Sequence, residues 1–196
     1  MTSADIQELF SESKCIACFG ASMPDMLKIA LLSRILAAEH QRITMPFINL
    51  SRTTNATGAA TNVAYPITFT NIDDSQGIDY LVGDSNIEPT EAGKYLIVVS
   101  AVVDSLNPAP YTIALWPRIN GTNVDRSNTI VGTQSTGIET TLAVSFIFDL
   151  NAADQLSFWY RVSNTNVYFK ATAAAVGPPA RPICPSVILT MNKISD

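Results

Sequence analysis

The residues best suited to metal or redox chemistry are three cysteines and the single histidine. Cys15 and Cys18 form one CxxC, whereas Cys184 and His40 lie far from it in the sequence. Zinc takes four such ligands, but a strong zinc motif has a second close pair, which is missing here. A redox CxxC needs a strand–helix–strand context, which is also missing. We therefore expect buried thiols and no cofactor or metal, with a metal site and a Cys15–Cys18 disulfide as the alternatives.

The sequence also lacks a recognisable catalytic constellation. His40 follows an apolar helical segment, which favours a position at a helix C-terminus. A Ser-His-Asp triad has no GxSxG phrase to supply its nucleophile. The carboxylate pairs Asp73/Asp74 and Glu88/Glu91 could serve a glycosidase only if they flanked a bound sugar, and nothing in the sequence places them so. We expect that the protein is not an enzyme.

Two polar patterns have simpler interpretations than ligand binding or modification. Calcium takes several oxygen ligands, but the spacing of the acidic residues Asp73, Asp74, Asp79 and Asp84 is not that of an EF-hand, so solvated loop carboxylates are expected. Two triplets match the glycosylation pattern, at 55–57 and 120–122, and such triplets arise by chance in a chain rich in Asn and Thr. Asn120-Gly121 is better interpreted as a hairpin turn with positive φ.

Aromatic residues recur in the apolar segments of the second half of the chain. Phe146 and Phe148 share one side of their segment, and Phe158 and Tyr160 share one side of theirs, whereas Trp159 points the other way. Burial in a core is the simplest interpretation. A seam between subunits and a sugar-binding platform are the alternatives.

The composition limits the classes of partner. Charged residues make up 15% of the 196 residues, against about 25% in an average protein, and 47% are hydrophobic. The net charge of −5 argues against nucleic acid and against an anionic membrane surface. No apolar stretch is long enough to span a bilayer, and the first ten residues do not resemble a secretory signal. Synthesis in a cytoplasm is expected, with apolar surface left for neighbouring subunits.

Residues 1–42 are predicted to form a short helical hairpin that serves as an anchor. Two stretches have capping-box spacing followed by apolar residues at helical intervals. The apolar stripe is wide for a lone helix, so it needs a partner. The residues expected to make that contact are Ile6, Leu9, Phe10, Leu27, Leu31 and Ile35.

The rest of the chain is predicted to be a linker and a β domain. Residues 43–62 are mostly small and polar and are interpreted as the linker. From residue 63 onward, segments rich in Val, Ile, Tyr, Phe and Thr alternate with turn signals, which predicts an antiparallel sandwich or jelly roll. The predicted strands are 65–70, 94–103, 111–119, 141–150, 155–163, 166–173 and 186–193. Three loops at 105–110, 121–137 and 172–185 are expected at the distal end of this domain.

The β domain resembles the C1q/TNF-like trimeric jelly roll. The phrase EAGKYLIVVSAV at 91–102 resembles that family's aGxYxfxxxv strand, IALWPRINGT at 113–122 resembles its Ngt hairpin, and LAVSFIFDLNAADQLSF at 142–158 resembles its agD strand pair. Ala153 departs from the pattern, where the family usually has Gly. The resemblance spans roughly residues 63–194 and implies a homotrimer.

The N-terminal phrase CIACFG at 15–20, followed by LKIALL at 27–32, resembles a leader found on structural proteins of tailed bacteriophages. Together the two resemblances imply a virion protein: a trimeric capsid decoration (cement) protein or short head fibre, anchored to other virion proteins by its first segment. The alternative is a tail or neck fibre adhesin that binds a host surface glycan. The predicted distal loops are poor in aromatic residues, which favours decoration.

Overall fold

Alternating apolar and polar residues form extended strands throughout the part of the chain that the computed structural model describes, residues 45–133 and 137–196. The strands are β1 (Phe47–Arg52), β2 (Ala56–Thr57), β3 (Ala64–Pro66), β4 (Asn71–Gln76), β5 (Ile78–Tyr80), β6 (Ile87–Pro89), β7 (Gly93–Ser105), β8 (Tyr111–Ile119), β9 (Thr122–Asn123), β10 (Thr129–Thr133), β11 (Thr140–Leu150), β12 (Leu156–Val162), β13 (Val167–Phe169) and β14 (Val187–Ser195).

The predicted anchor of residues 1–42 lies outside the described residues. This applies to all six contact residues expected there, Ile6, Leu9, Phe10, Leu27, Leu31 and Ile35, and also to Cys15, Cys18 and His40. Within the described ranges, no helix has the length and apolarity needed to cross a bilayer.

The strands form two antiparallel sheets. In sheet 1, β4, β1, β14, β7 and β11 lie side by side, and β13 and β2 extend the sheet at one end of β7. In sheet 2, β10, β8 and β12 lie side by side, with β3 and β6 on the far edge of β12 and β5 beyond β6. Every strand pair is antiparallel, as the sequence predicts.

The pairing is nested in the manner of a jelly roll. The first strand β1 pairs with the last strand β14, and β3 and β6 pair with β12. Inside these, β7 pairs with β11, and β8 pairs with β10. The outermost strands in the sequence pair with each other, and each inner pair is enclosed by the one before it. Successive pairs belong to alternate sheets. This is the connectivity of an antiparallel jelly-roll sandwich. The predicted fold class is therefore confirmed for the described residues.

The structure corrects the predicted linker at residues 43–62. Residues 47–52 form β1, which is hydrogen-bonded to β14 on one side and β4 on the other. Ile48 and Leu50 point inward and are fully buried, so β1 is an integral strand of sheet 1. The β domain therefore begins near residue 45 and not at residue 63. The small polar residues that suggested a linker follow this strand and contain β2.

The core lies between the two sheets and takes one side of the long strands. Its largest fully buried side chains include Tyr95, Phe69, Phe158 and Phe169. The Tyr95 hydroxyl donates a hydrogen bond of 2.8 Å to the carbonyl oxygen of Glu91, so its polar end is satisfied within the core. At Gly93 a methyl group would lie 2.5 Å from the carbonyl oxygen of Ser195, and φ is +154°. Packing therefore explains why the sequence has glycine at position 93 and tyrosine at position 95.

The strand directions define two ends of the sandwich. The proximal end is where β1 begins and β14 ends; the distal end is where β7 ends and β8 begins. Residues 105–110 and 172–185 lie at the distal end, as expected. Residues 121–137 do not form one distal loop, because β9 and β10 occupy part of this range and residue 129 already pairs halfway along β8.

Candidate functional site

The residues that suggested metal or acid–base chemistry do not converge in the described ranges. Across residues 45–133 and 137–196, no group of three or more His, Cys, Asp or Glu side chains is arranged to hold a metal ion. Asp73 accepts a hydrogen bond from Ser51 Oγ at 3.1 Å, and Asp74 and Asp84 each accept one from the next residue's amide. Cys184 is an exposed thiol beside Pro185, so the expectation of buried thiols is wrong for this residue. These carboxylates have local structural roles.

The feature that stands out is the outer face of sheet 1, which we call the neutral face. Its outward side chains come from four adjacent strands and share one property, the lack of charge. They are Phe47 and Asn49 of β1, Ile188, Thr190 and Asn192 of β14, Leu96, Val98, Ser100 and Val102 of β7, and Ala143, Ser145 and Ile147 of β11. An outer sheet face normally carries charged residues, so this pattern indicates a contact surface.

Apolar side chains are exposed on three neighbouring strands of the neutral face, β14, β7 and β11. Val98 is 38% exposed, Ile188 40% and Ile147 61%. In the register of the sheet, Val98 lies opposite Thr190 on one side and Ser145 on the other, so no long side chain covers it. Charge lies at two margins of this face. At the proximal margin Lys94 and Asp149 form an exposed ion pair of 2.6 Å, and on the β4 side Asp74 is the cross-strand partner of Asn49.

A second apolar region, the open edge, lies beside the neutral face where β11 ends sheet 1. Phe146 and Phe148 point inward from β11, as the alternation predicts, but both are only half-buried. Their rings stack with centroids 5.5 Å apart, and Phe146 also contacts Phe158 at 6.0 Å. In the described residues, β11 has a hydrogen-bonded partner only on its β7 side. The edge therefore leaves aromatic surface and backbone groups without a cover.

Two lysines, the buried Lys193 and the partly buried Lys170, form ion pairs at the two ends of the sandwich. At the distal end Lys170 Nζ lies 2.7 Å from Asp104 and 2.8 Å from Glu139. At the proximal end Lys193 Nζ lies 2.7 Å from Asp196 and 3.0 Å from Glu91. The hydrogen bonds that Lys170 donates to Asp104 and, second, to Glu139 raise the pKa of Lys170. These groups are paired, so they serve the fold.

Burial alone would raise the pKa of Asp104. The hydrogen bond from Lys170 and those from the backbone N–H groups of Ser105 and Gly137 outweigh it, and the pKa lies below its ordinary value of 3.8. Asp104 is therefore a buried carboxylate that stays ionised.

The neutral face was not foreseen from the sequence as one surface. The sequence predicted exposed apolar area in general terms and a subunit seam as one alternative for the aromatic residues. It did not indicate which sheet would carry that area, because the residues come from segments up to about 150 positions apart. The absence of Lys, Arg, Asp and Glu from alternate positions of four strands is the signal that could have identified it.

No protein-family model matches the chain, and no curated protein matches it at a significant level. Solved structures similar to it include murine APRIL at pH 5.0, with 11% identity and a TM-score of 0.48, covering 77% of this chain and all of the other. The globular domain of zebrafish complement 1qA has 14% identity and a TM-score of 0.48, covering 77% of this chain and 98% of the other. Murine APRIL at pH 8.5 has 10% identity and a TM-score of 0.49, covering 77% and 100%.

These structures are jelly-roll domains of the TNF and C1q families, the group that the sequence resembles. Similarity at this level carries no inference about activity or partners. The jelly-roll assignment itself rests on the nested strand pairing described above.

Proposed function

We propose that the protein is a non-catalytic, homotrimeric structural protein of a bacteriophage virion. In this proposal the jelly rolls decorate the particle as a cement protein or short head fibre. The first segment, through Ile6, Leu9, Phe10, Leu27, Leu31 and Ile35, holds the trimer on another virion protein. The protein would be made in the host cytoplasm and reside in the virion. The phage assignment rests on the resemblance of the leader phrase at 15–32.

The neutral face is the observation that supports self-association. Exposed apolar side chains are costly in water, by about 25 cal/mol for each Å² of apolar surface. A monomer would expose Val98, Ile147 and Ile188 together on one flat surface. A second copy can cover that surface without burying a charge, which makes the contact inexpensive in desolvation.

The position of the open edge supports a ring and not a two-fold dimer. The neutral face lies flat on sheet 1, whereas Phe146 and Phe148 are presented at its margin, so the two apolar regions point in different directions. Packing the edge of one copy on the face of the next is a heterologous contact, which closes into a ring when the rotation permits. The resemblance to the C1q/TNF-like jelly roll implies three copies.

Light scattering on the full chain tests this proposal. We expect a trimer at micromolar concentration and expect Val98→Lys to dissociate it, because a charge would then be buried in the contact. Val176→Lys is the matched control, since Val176 is a fully exposed valine in the distal 172–185 loop. A clean monomer for the native chain, or a trimer that tolerates Val98→Lys, would contradict the proposal.

The second candidate function is the adhesin, a tail or neck fibre that binds a host glycan. The distal loops do not favour it, because their exposed apolar side chains are aliphatic: Leu106, Ile138, Val176 and Ile183. One observation favours the adhesin: Trp116 and Trp159 are cross-strand neighbours on sheet 2, and both are half-buried. Particles that lack the protein should adsorb normally but be less stable if it is a decoration protein, whereas stable particles that fail to adsorb would favour the adhesin.

A further inference from the structure

Both tryptophans of the chain lie on the outer face of sheet 2, opposite the neutral face. Trp116 of β8 and Trp159 of β12 are direct cross-strand partners and are half-buried. The Arg118 guanidinium stacks on the Trp159 ring at 3.9 Å from its centroid. Trp116 instead donates a hydrogen bond of 2.8 Å from Nε1 to Asn123 Oδ1, which fixes the orientation of its indole. A fixed, partly exposed indole provides a flat apolar surface for a ligand.

Beside Trp116 the sheet surface is depressed into a cleft of about 410 Å³, which we call the tryptophan cleft. Small side chains explain the depression. On the outer face, Arg161 of β12 pairs with Ala114 on one side and Ala64 on the other, so two methyl groups occupy positions where larger side chains would fill the space. The volume falls in the range of small-molecule sites, roughly 300–1,000 Å³.

The loop 124–128 forms the opposite wall of the cleft and is held against sheet 2. The Val124 amide donates to the carbonyl oxygen of Pro117 at 3.2 Å, and Ser127 Oγ donates to the carbonyl oxygen of Val124 at 2.6 Å. Within this loop Arg126 adopts φ +60°, and across the cleft Asn62 also adopts φ +60°. Asparagine adopts this conformation readily, whereas it is uncommon for arginine, and uncommon conformations cluster at functional sites. Arg126 is therefore held in an uncommon backbone conformation beside the cleft.

The charges of the cleft are opposite in sign to the net charge of the chain. Arg126 and Arg161 line it, against a single carboxylate, Asp125, in a protein with net charge −5. Among the described residues the ion pairs are all made by lysines, so neither arginine has a carboxylate partner. The remaining polar lining consists of the amides of Asn62, Asn123 and Asn128.

We propose that the tryptophan cleft binds an acidic saccharide, a short oligosaccharide that carries a carboxylate. The Trp116 ring would pack on the apolar C–H face of a sugar ring. Arg161 and Arg126 would bind the carboxylate, for which a guanidinium is the best-matched side chain. The asparagine amides both donate and accept hydrogen bonds, which suits sugar hydroxyl groups.

This inference goes beyond the decoration role and does not depend on it. The cleft lies on sheet 2, whereas the proposed subunit contacts involve sheet 1 and the open edge. Decoration and saccharide binding are therefore compatible on one trimer. The two proposals can fail independently, because the oligomeric state tests self-association and ligand titration tests saccharide binding.

Intrinsic fluorescence of the full chain tests the proposal, because the two tryptophans are both on this face. The probes are trigalacturonate, 3′-sialyllactose and a hyaluronan tetrasaccharide, with maltotriose and lactose as neutral controls. We expect saturable fluorescence changes with at least one acidic probe in the millimolar range or below, and none with the neutral sugars. Isothermal titration calorimetry should give the same affinity.

Three variants separate the cleft from other causes. Arg161→Gln should weaken binding by about tenfold, because a charge-assisted hydrogen bond is lost. Ala64→Leu should block the cleft while leaving its charges in place. Arg181→Gln, which removes an exposed arginine of the distal loop, should bind like the native chain. No response to any acidic probe, equal response to the neutral sugars, or binding unchanged in both Arg161→Gln and Ala64→Leu would overturn the proposal.

Discussion

Ala153 adopts φ +64° in the turn between β11 and β12, a conformation that favours glycine. The turn is nevertheless well fixed. The Ala153 amide donates to the carbonyl oxygen of Pro89 at 2.8 Å, and Asp154 accepts hydrogen bonds from Asn120 Nδ2 and the Asn151 amide. Asn120 also accepts a hydrogen bond from the Gln155 amide at 2.9 Å. Asn120 therefore connects the turn between β8 and β9 to the turn between β11 and β12. Hydrogen bonds to neighbouring segments therefore hold an alanine in a backbone conformation that favours glycine.

Ala153→Gly should stabilise the protein by about 0.5–1 kcal/mol, since relief of strain exceeds the entropy lost by the more flexible glycine. Thermal unfolding measures this as a rise in Tm of a few degrees. Ala152→Gly is the matched control, because Ala152 has no positive φ and should be slightly destabilised by the same change. A lower Tm for Ala153→Gly would show that the turn is not strained.

Asp104→Asn should destabilise the protein by about 2 kcal/mol at neutral pH, because Asp104 is 3% exposed and holds Lys170 through a 2.7 Å ion pair. The pKa of Asp104 is lower in the folded state, so its contribution is present above the ordinary value of 3.8 and is lost as the pH falls through the folded value. Native stability should therefore fall in acid, and the variant should lose less between pH 6 and pH 3 than the native chain.

Urea unfolding across that pH range gives the comparison. Asp149→Asn is the control, because Asp149 is 76% exposed in its pair with Lys94 and exposed pairs contribute little. An Asp104→Asn variant with native stability and native acid sensitivity would show that the Asp104–Lys170 ion pair does not stabilise the protein.

Strand β1 carries the main correction to the sequence-based organisation of the chain. Its alternation of apolar and polar residues, Phe-Ile-Asn-Leu-Ser-Arg, is short and is followed by a run of small polar residues. The strand lies between β14 and β4, where it covers the core with Ile48 and Leu50. An N-terminal boundary placed after it would remove a central strand of sheet 1.

A fragment of residues 45–196 should fold cooperatively, whereas a fragment of residues 63–196 should be unfolded or aggregate. Loss of β1 leaves one edge of β14 without hydrogen bonds and exposes apolar core residues. Both effects lower the free energy of unfolding. Circular dichroism and thermal unfolding of the two fragments measure the difference. Equal Tm values for both fragments would mean that β1 contributes nothing to the sandwich.

The sandwich presents two sides of different chemistry. The neutral face of sheet 1 and the open edge present uncharged, largely apolar side chains, which suits contacts between copies of the chain. Sheet 2 carries the two tryptophans and the cleft lined by Arg126 and Arg161, which have no carboxylate partner among the described residues, and this suits a small acidic ligand. The described chain begins at the proximal end, whereas the long 172–185 loop lies at the distal end.

Deletion of residues 1–44 should leave a trimer that no longer joins the virion, because the proposed anchor residues lie in that segment. Light scattering measures the first outcome, and occupancy on particles assembled in the presence of the truncated protein measures the second. Leu27→Asp together with Leu31→Asp in the full chain provides a milder test, with Lys28→Asp as the control on the same segment. Normal occupancy of the truncated protein would contradict the anchor role.

Local pattern alone determined the fold class and five of the long strands. The predicted segments 94–103, 111–119, 141–150, 155–163 and 186–193 correspond to β7, β8, β11, β12 and β14, because alternation over seven or more residues is a property of the segment itself. The Asn120-Gly121 turn was also predicted, and both residues have positive φ. The alternation correctly placed Phe158 and Tyr160 on one side of their strand and Trp159 on the other, and the structure shows that the first side faces the core.

Tertiary structure alone decided the strand order, the inclusion of β1 and the location of both candidate sites. The neutral face requires β1, β7, β11 and β14 to lie side by side, and long-range hydrogen bonds set that order. The tryptophan cleft depends on the register that places Ala64 and Ala114 on either side of Arg161. The cleft exists only because β3, β12 and β8 lie side by side in this register. No single segment of the sequence contains the information that specifies it.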